Sequence, residues 1–385
     1  MGIDLKTRLG RYIETTAGGE HVRAYVPPPL PPDPPIQIEA LLGRLSAADR
    51  ALGRLDGITT LLPDKALFLY MYVRKEAVLS SQIEGTQSTL SDLLLFETEA
   101  ESGTPIDDIR EVSNYVDAMM YGLERMKDLP LSLRLIREMH ERLMKGSRGG
   151  TKSPGEFRTS QNWIGGTRPG NAAYVPPPVM ELNSCLDAFE KFIHADTPYL
   201  PLLIKAGLLH VQFESIHPFL DGNGRLGRLL ITLYLCAQHG LREPLLYLSL
   251  FFKQNRTDYY RLLQEVRERG TWEPWLEFLL DGVTHTADQA FDSAIRITEL
   301  FRADREHIVS AGERAGSALR LHELFQTNPY LTAGAAVKRS SLTMPTVNSA
   351  LAELEKLGVV TEITGRKRGR VFCYKAFLSI LSEAA

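Results

Sequence analysis

Twelve residues of this 385-residue chain combine the groups needed to bind and attack a phosphate: His217-Pro218-Phe219-Leu220-Asp221-Gly222-Asn223-Gly224-Arg225-Leu226-Gly227-Arg228. An apolar helical pattern from Leu229 to Cys236 follows at once. Pro218 disfavours helical backbone at the residue before it, so a helix over Leu202 to Ile216 should end there and leave the His217 imidazole at a loop mouth. Gly222 and Gly224 permit backbone angles closed to other residues. A helix opening near Asn223 offers unpaired N–H groups to an anion. Arg225 and Arg228, three apart, share a helix face and can fork to phosphate oxygens. Asp221 supplies the hard oxygen that Mg²⁺ prefers when substrate phosphates also hold it, and His217, free to titrate near neutrality, can take a proton from an attacking hydroxyl. Together these outline a diphosphate site, although each residue alone has a plainer structural reading. A His217/Asp221 metal site is the weaker alternative, because only these two ligands lie close together and Pro218 breaks the helix between them.

The stretch resembles the signature of the Fic family, H-x-F-x-[D/E]-G-N-G-R-x-x-R, and matches it at every fixed position. The resemblance implies transfer of AMP from ATP to a hydroxyl side chain of a target protein. His217 would be the base, Asp221 the Mg²⁺ ligand, and Gly222, Asn223 and Gly224 the anion hole. Arg225 and Arg228 would hold the β- and γ-phosphates, and Phe219 would anchor the loop in the core. A second motif, Ser80-Ser81-Gln82-Ile83-Glu84-Gly85, resembles the family's inhibitory signature [S/T]-x-x-x-E-[G/N] and precedes the catalytic one, as in class II. There the glutamate pairs with the second arginine, which carries over as Glu84 to Arg228. Tyr260, with Tyr259 as the lesser candidate, would line the adenine pocket. Some relatives place an asparagine about seven residues further on, where this chain has Arg267, and that departure leaves base selectivity open. Within the family the alternatives are AMP removal or transfer of another phosphate-linked group; outside it, a DNA-binding regulator with a nucleotide-sensing pocket.

Beyond these motifs, 44% hydrophobic and 24% charged residues are ordinary for a globular protein of two or three domains. Three dispersed cysteines, Cys185, Cys236 and Cys373, argue against a disulfide framework. No apolar run reaches membrane-spanning length and Met1 to Tyr12 lacks a signal peptide's apolar core, so no membrane role and a cytoplasmic location are expected. Ten Lys/Arg against five Asp/Glu from Arg314 onward give +5 there, leaving −8 upstream of the total −3.

The expected fold is mainly α: a Fic helical core with a small β-hairpin flap, plus a C-terminal winged helix-turn-helix. Residues 1–105 would carry an N-terminal arm and the helices bearing the inhibitory motif, 106–285 the catalytic core, 286–313 a connecting helix, and 314–385 the winged helix. The prolines between Pro27 and Pro35 predict an irregular, polyproline-like arm over residues 1–35. Apolar spacing predicts helices at 36–61, 64–80, 107–127, 131–146 and 178–194, with a connecting loop over 86–105. The grammar of residues 159–175, strand-like runs around Gly165-Gly166 and Gly170-Asn171, predicts a hairpin. In Fic proteins a flap lies there and holds the target by strand pairing. After the signature helix, Arg256 to Arg269 reads as one helix, Trp272 to Phe278 closes the core, and a helix from about Thr284 to Ile308 connects to the tail. In the tail, three helices precede Val359 to Ile363, a basic turn at Arg366, Lys367, Arg368 and Arg370, and Val371 to Tyr374. Such a module contacts DNA phosphates, or else docks protein or serves a homodimer.

Overall fold

Apolar periodicity organises the chain into helices, which the computed structural model describes over residues 5–58, 65–97, 106–146, 152–197, 199–312, 315–366 and 368–383. The junction of the first two expected helices at residues 59–64, residues 98–105 of the expected connecting loop, and Lys367 of the basic turn lie outside what is described. From the N-terminus come β1 (Arg11–Ala17), β2 (Glu20–Val26), α1 (Ile38–Ile58), α2 (Lys65–Ile83), α3 (Leu90–Glu97), α4 (Ile106–Arg125), α5 (Leu133–Leu143), α6 (Val179–His194), α7 (Leu202–Ile216) and α8 (Asn223–Ala237). Then follow α9 (Ser249–Gln254), α10 (Arg256–Arg269), α11 (Trp272–Ser310), α12 (Ala315–Thr327), β3 (Tyr330–Thr332), α13 (Ala333–Ser340), α14 (Met344–Lys356), β4 (Thr361–Glu362), β5 (Val371–Cys373) and α15 (Lys375–Ser382).

Helix α7 is buried along nearly its whole length, as a helix apolar on every side must be. It packs against α8, α6 and α11, so the loop joining α7 to α8 starts from an immobile base. Local signals set the ends of other elements. Ser132 caps α5 by accepting from the Leu135 N–H, and α10 stops at Gly270 in the left-handed region (φ +66°).

Three sequence expectations are corrected. Residues 11–26 are not an irregular arm but an antiparallel hairpin, with Ala17 opposite Glu20 across Gly18-Gly19. Both glycines have positive φ (+55° and +83°), the geometry a two-residue hairpin turn demands. The proline segment that follows does lie outside helix and strand. The loop expected over 86–105 contains α3, which starts where Thr89 and Asp92 exchange hydrogen bonds and which buries Leu93 and Leu94. The helix expected from about Thr284 begins instead at Trp272 and runs to Ser310, because nothing after Pro274 in its first turn breaks it. Gly282 within it is a close-packing point, where a Cβ would sit 2.7 Å from the Phe251 ring.

The flap is slighter than expected. A single antiparallel bridge, Ile164 to Tyr174, closes around Gly165 and Gly166, both at positive φ. Strand β2 lies beside it, the Tyr25 N–H donating to the Val175 carbonyl at 2.9 Å. In the tail, α12, α13 and α14 stand with a three-stranded antiparallel sheet ordered β3-β5-β4; β3 and α15 have no counterpart in the sequence pattern described above. No described helix is long and apolar enough to cross a membrane.

Candidate active site

The site is built on the turn from α7 into α8. His217 closes α7 in the left-handed region (φ +48°), its N–H still bonded to the Phe213 carbonyl at 2.9 Å. A non-glycine residue there is strained and needs its surroundings to keep it so. Gly222, at φ +77°, then turns the chain into α8, and a Cβ on it would sit 2.7 Å from Met144 Sδ. Phe219 is fully buried, stacked on His140 with ring centroids 3.7 Å apart.

Asn223 stitches this loop. Its Oδ1 accepts from the Phe219 N–H at 2.9 Å and its Nδ2 donates to the Phe219 carbonyl at 2.8 Å. Its side chain therefore braces the loop, and only backbone N–H groups are left at this end of α8, which has no side-chain cap. His140 holds the opposite side. Its Nδ1 accepts from the Gly155 N–H at 2.9 Å, so Nε2 carries the hydrogen donated to the Asp221 carbonyl at 2.9 Å. Burial pushes the His140 pKa down to about 4, keeping the ring neutral.

The charged groups converge on α8. Arg228, 2% exposed, donates from Nε to Ser80 Oγ at 2.9 Å, and from Nη2 to the Ser80 carbonyl at 2.9 Å and Glu84 Oε1 at 2.6 Å. Glu84 sits one residue beyond the end of α2 and presses its carboxylate over the start of α8, so that a Cβ on Gly224 would lie 2.3 Å from Oε1. Burial, the largest single influence, would lower the Arg228 pKa, but Glu84 foremost, together with Tyr259, Tyr260 and Glu214, outweighs it and drives the net shift upward. Arg225 bonds Glu111 Oε2 at 3.2 Å and lies 3.7 Å from Asp221 Oδ1, while its buried Nε has no partner among the described residues. Asp221 accepts from the Gly222 N–H at 2.7 Å and from Lys152 at 3.2 Å. Burial would raise its pKa, but Lys152, Arg225 and that N–H hold it below the ordinary carboxylate value.

His217 does not titrate near neutrality as expected. Desolvation, aided by the positive charges of Arg267 and Arg158, pushes its pKa down to about 3, so the imidazole is neutral and able to accept a proton. Its Nδ1 is buried against the Glu214 backbone carbonyl, a contact too loose for a well-formed hydrogen bond that nonetheless works against the lowering. The two tyrosines separate. Tyr259 is a core ring stacked on Phe252 and bonded through its hydroxyl to His210 Nε2 at 2.9 Å; Tyr260, 41% exposed, is the one open to a ligand. His210 is satisfied on both nitrogens, as a structural histidine should be. Arg267 lies 4.0 Å over the Tyr174 ring and donates to Ser215 Oγ at 3.1 Å.

The sequence pattern does not reveal His140 as the support of the loop, nor Arg158 and Asn162 as partners of it. All three act on backbone carbonyls, which leave no trace in a side-chain motif. No cluster of three or more His, Cys, Asp or Glu able to hold a metal occurs among the described residues.

Two family models match the chain, that of the Fic/DOC family N-terminal region over residues 42–124 and that of the Fic/DOC family over residues 130–235. The chain carries the N-terminal and Fic domains of the Fic/DOC family. The first match contains Glu84 and the second contains the whole loop from His217 to Arg228. The chain is 30% identical over 265 residues to the protein adenylyltransferase Fic of Drosophila virilis, covering 66% of this chain and 50% of that protein. It is 33% identical over 216 residues to that of Aedes aegypti, covering 54% and 39%. It thus spans half or less of the length of these curated relatives. Among solved structures, a Fic family protein from Desulfovibrio desulfuricans superposes with a TM-score of 0.57 at 19% identity, covering 91% of this chain and 98% of that one. Fic-1 from C. elegans gives 0.53 at 21% identity, covering 68% and 74%. At those identities the likeness establishes the Fic fold, and the chemistry must be argued from the site.

Proposed function

We propose that this Fic protein is a protein adenylyltransferase that moves AMP from ATP to a hydroxyl side chain of a target protein and is restrained by its own Glu84. One observation carries this reading: the mouth of α8 already cradles an anion. The Glu84 carboxylate rests on the first turn of the helix, bonded to a buried arginine. A helix N-terminus flanked by Arg225 and Arg228 suits the β- and γ-phosphates of ATP, and a carboxylate in that place competes with them.

The target's hydroxyl oxygen attacks the α-phosphorus, its proton passes to the neutral His217, and the bond to the β-phosphate oxygen breaks to release pyrophosphate. Since Nδ1 is enclosed, Nε2 is the nitrogen left for the incoming hydroxyl. The backbone N–H groups of Asn223 and Gly224, that of Gly222 once it leaves the Asp221 carboxylate, and the two arginines neutralise charge on the departing phosphates, which is where such catalysis gains most. Asp221 fits as a Mg²⁺ ligand: a partly exposed carboxylate, held ionised, is the donor this ion takes when phosphates supply the rest. Bound Mg²⁺ would supply further charge neutralisation. Tyr260 would face the adenine, and the target would lie along the flap near residues 159–175, pairing as an added strand.

The tail, with its net positive charge, would act as a winged helix contacting DNA or protein, or as a homodimer contact, and a cytoplasmic setting suits free ATP. Incubation of cell extract with the chain and ATP labelled on the α-phosphate tests the central reading. Label should appear covalently on protein with the Glu84→Gly chain and be absent with His217→Ala. Binding of ATP without any label on protein would instead favour a nucleotide-sensing regulator.

A further inference from the structure

The flap and the catalytic loop form one hydrogen-bonded unit. Tyr174 Oη donates to the Ser215 carbonyl at 2.6 Å, Arg158 Nε to that of His217 at 3.1 Å, the Arg158 N–H to that of Pro218 at 2.9 Å, and Asn162 Nδ2 to that of Phe219 at 2.9 Å. Four of the five carbonyls from 215 to 219 therefore accept from the flap segment. Arg158 is the hub. Its remaining nitrogens reach both ends of the flap, Nη2 to the Pro177 carbonyl at 2.6 Å and Nη1 to the Ser160 carbonyl at 3.4 Å. The residue is 2% exposed, and the acidic groups that act on its guanidinium among the described residues are Tyr174 and Cys185 rather than a carboxylate. A buried guanidinium without a counter-ion is costly, and its rigid fork is what lets one side chain hold three carbonyls in separate directions. One of those carbonyls belongs to His217, whose left-handed backbone must be held in place from outside.

We infer that Arg158 is a positioning residue that couples the flap to His217: a peptide segment paired with the flap sets, through this one side chain, the backbone from which the base projects. The kinetic half of this inference rests on the adenylyltransferase reading; the structural half does not. The full-length chain with Arg158→Ala and, as a milder change, Arg158→Lys distinguishes coupling from ordinary packing. Amide hydrogen exchange should quicken by tenfold or more at the amides of His217 and of residues 219–222 in Arg158→Ala while the amides of residues 226–235 in α8 keep their rates. In the transfer assay, kcat should fall about 30- to 100-fold while affinity for a non-hydrolysable ATP analogue stays within twofold, and Arg158→Lys should recover part of the loss. Unchanged exchange at His217 and residues 219–222, equal quickening throughout α7 and α8, or a kcat loss matched by lost nucleotide affinity would each overturn the inference. If the parent and Glu84→Gly chains transfer no AMP, the adenylyltransferase reading fails and the exchange comparison alone decides the coupling.

Discussion

Replacing Glu84 by glycine removes one partner from a pair whose other member stays supported, and this makes the outcome calculable. Arg228 keeps its bonds to Ser80 Oγ and the Ser80 carbonyl, so its guanidinium is not orphaned when the carboxylate goes. Glu84 lies past the end of α2 with its carboxylate over Gly224, so the substitution disturbs no helix interior and opens the first turn of α8. A hydrogen bond to a charged group contributes about 1.5–3 kcal/mol. With the Glu84 side chain 36% exposed the lower end applies, and about 1.4 kcal/mol is a factor of ten in rate. Labelling of the chain itself or of extract proteins by α-labelled ATP should therefore rise at least tenfold in Glu84→Gly. The gain must disappear when Arg228→Ala is added, because residues that share a contact act non-additively. A Glu84→Gly chain as slow as the parent, or one whose gain survives without Arg228, would show the pair to be an ordinary helix-end ion pair.

Other perturbations probe the same geometry. His217→Ala should lower transfer by about 10²–10⁴, the effect of losing a positioned proton acceptor, with ATP affinity retained in a binding titration. Glu214, 7% exposed, has an Oε1 without a partner among the described residues, and burial pushes its pKa up to about 7. A raised folded pKa means that its favourable share of stability is complete below about pH 4.5 and is lost as pH climbs through 7, so Glu214→Gln should gain a few degrees of melting temperature at pH 8 and nothing at pH 4.5. Changing Arg366, Lys367, Arg368 and Arg370 together to alanine should weaken duplex DNA binding and flatten its log–log salt dependence by up to about 0.9 for each phosphate no longer neutralised; a parent chain with no salt-dependent DNA binding would assign the tail to protein docking.

What can be read from the sequence divides along the line between side-chain chemistry and backbone support. His217, Asp221, Arg225, Arg228 and Glu84 are visible because charge and spacing are themselves the signal, and the ends of α7 and α8 follow from Pro218 and the glycines after it. The N-terminal hairpin is equally legible, since Gly18-Gly19 lies between Tyr12-Ile13 and Val22, but the prolines from residue 27 onward draw the whole arm into one irregular reading. The neutral state of His217 is not legible. It depends on desolvation and on Arg158 and Arg267, which arrive from 59 residues upstream and from another helix. The same holds for Asn223: the motif offers it as a phosphate ligand, whereas its amide spans the loop to both backbone groups of Phe219. An asparagine that makes two reciprocal bonds to a backbone four residues earlier fixes where the N–H groups of residues 222–224 point. Asn223→Asp would leave an acceptor for the Phe219 N–H but set a charge against the Phe219 carbonyl, so the anion site should weaken even though the substituted side chain never meets the phosphate.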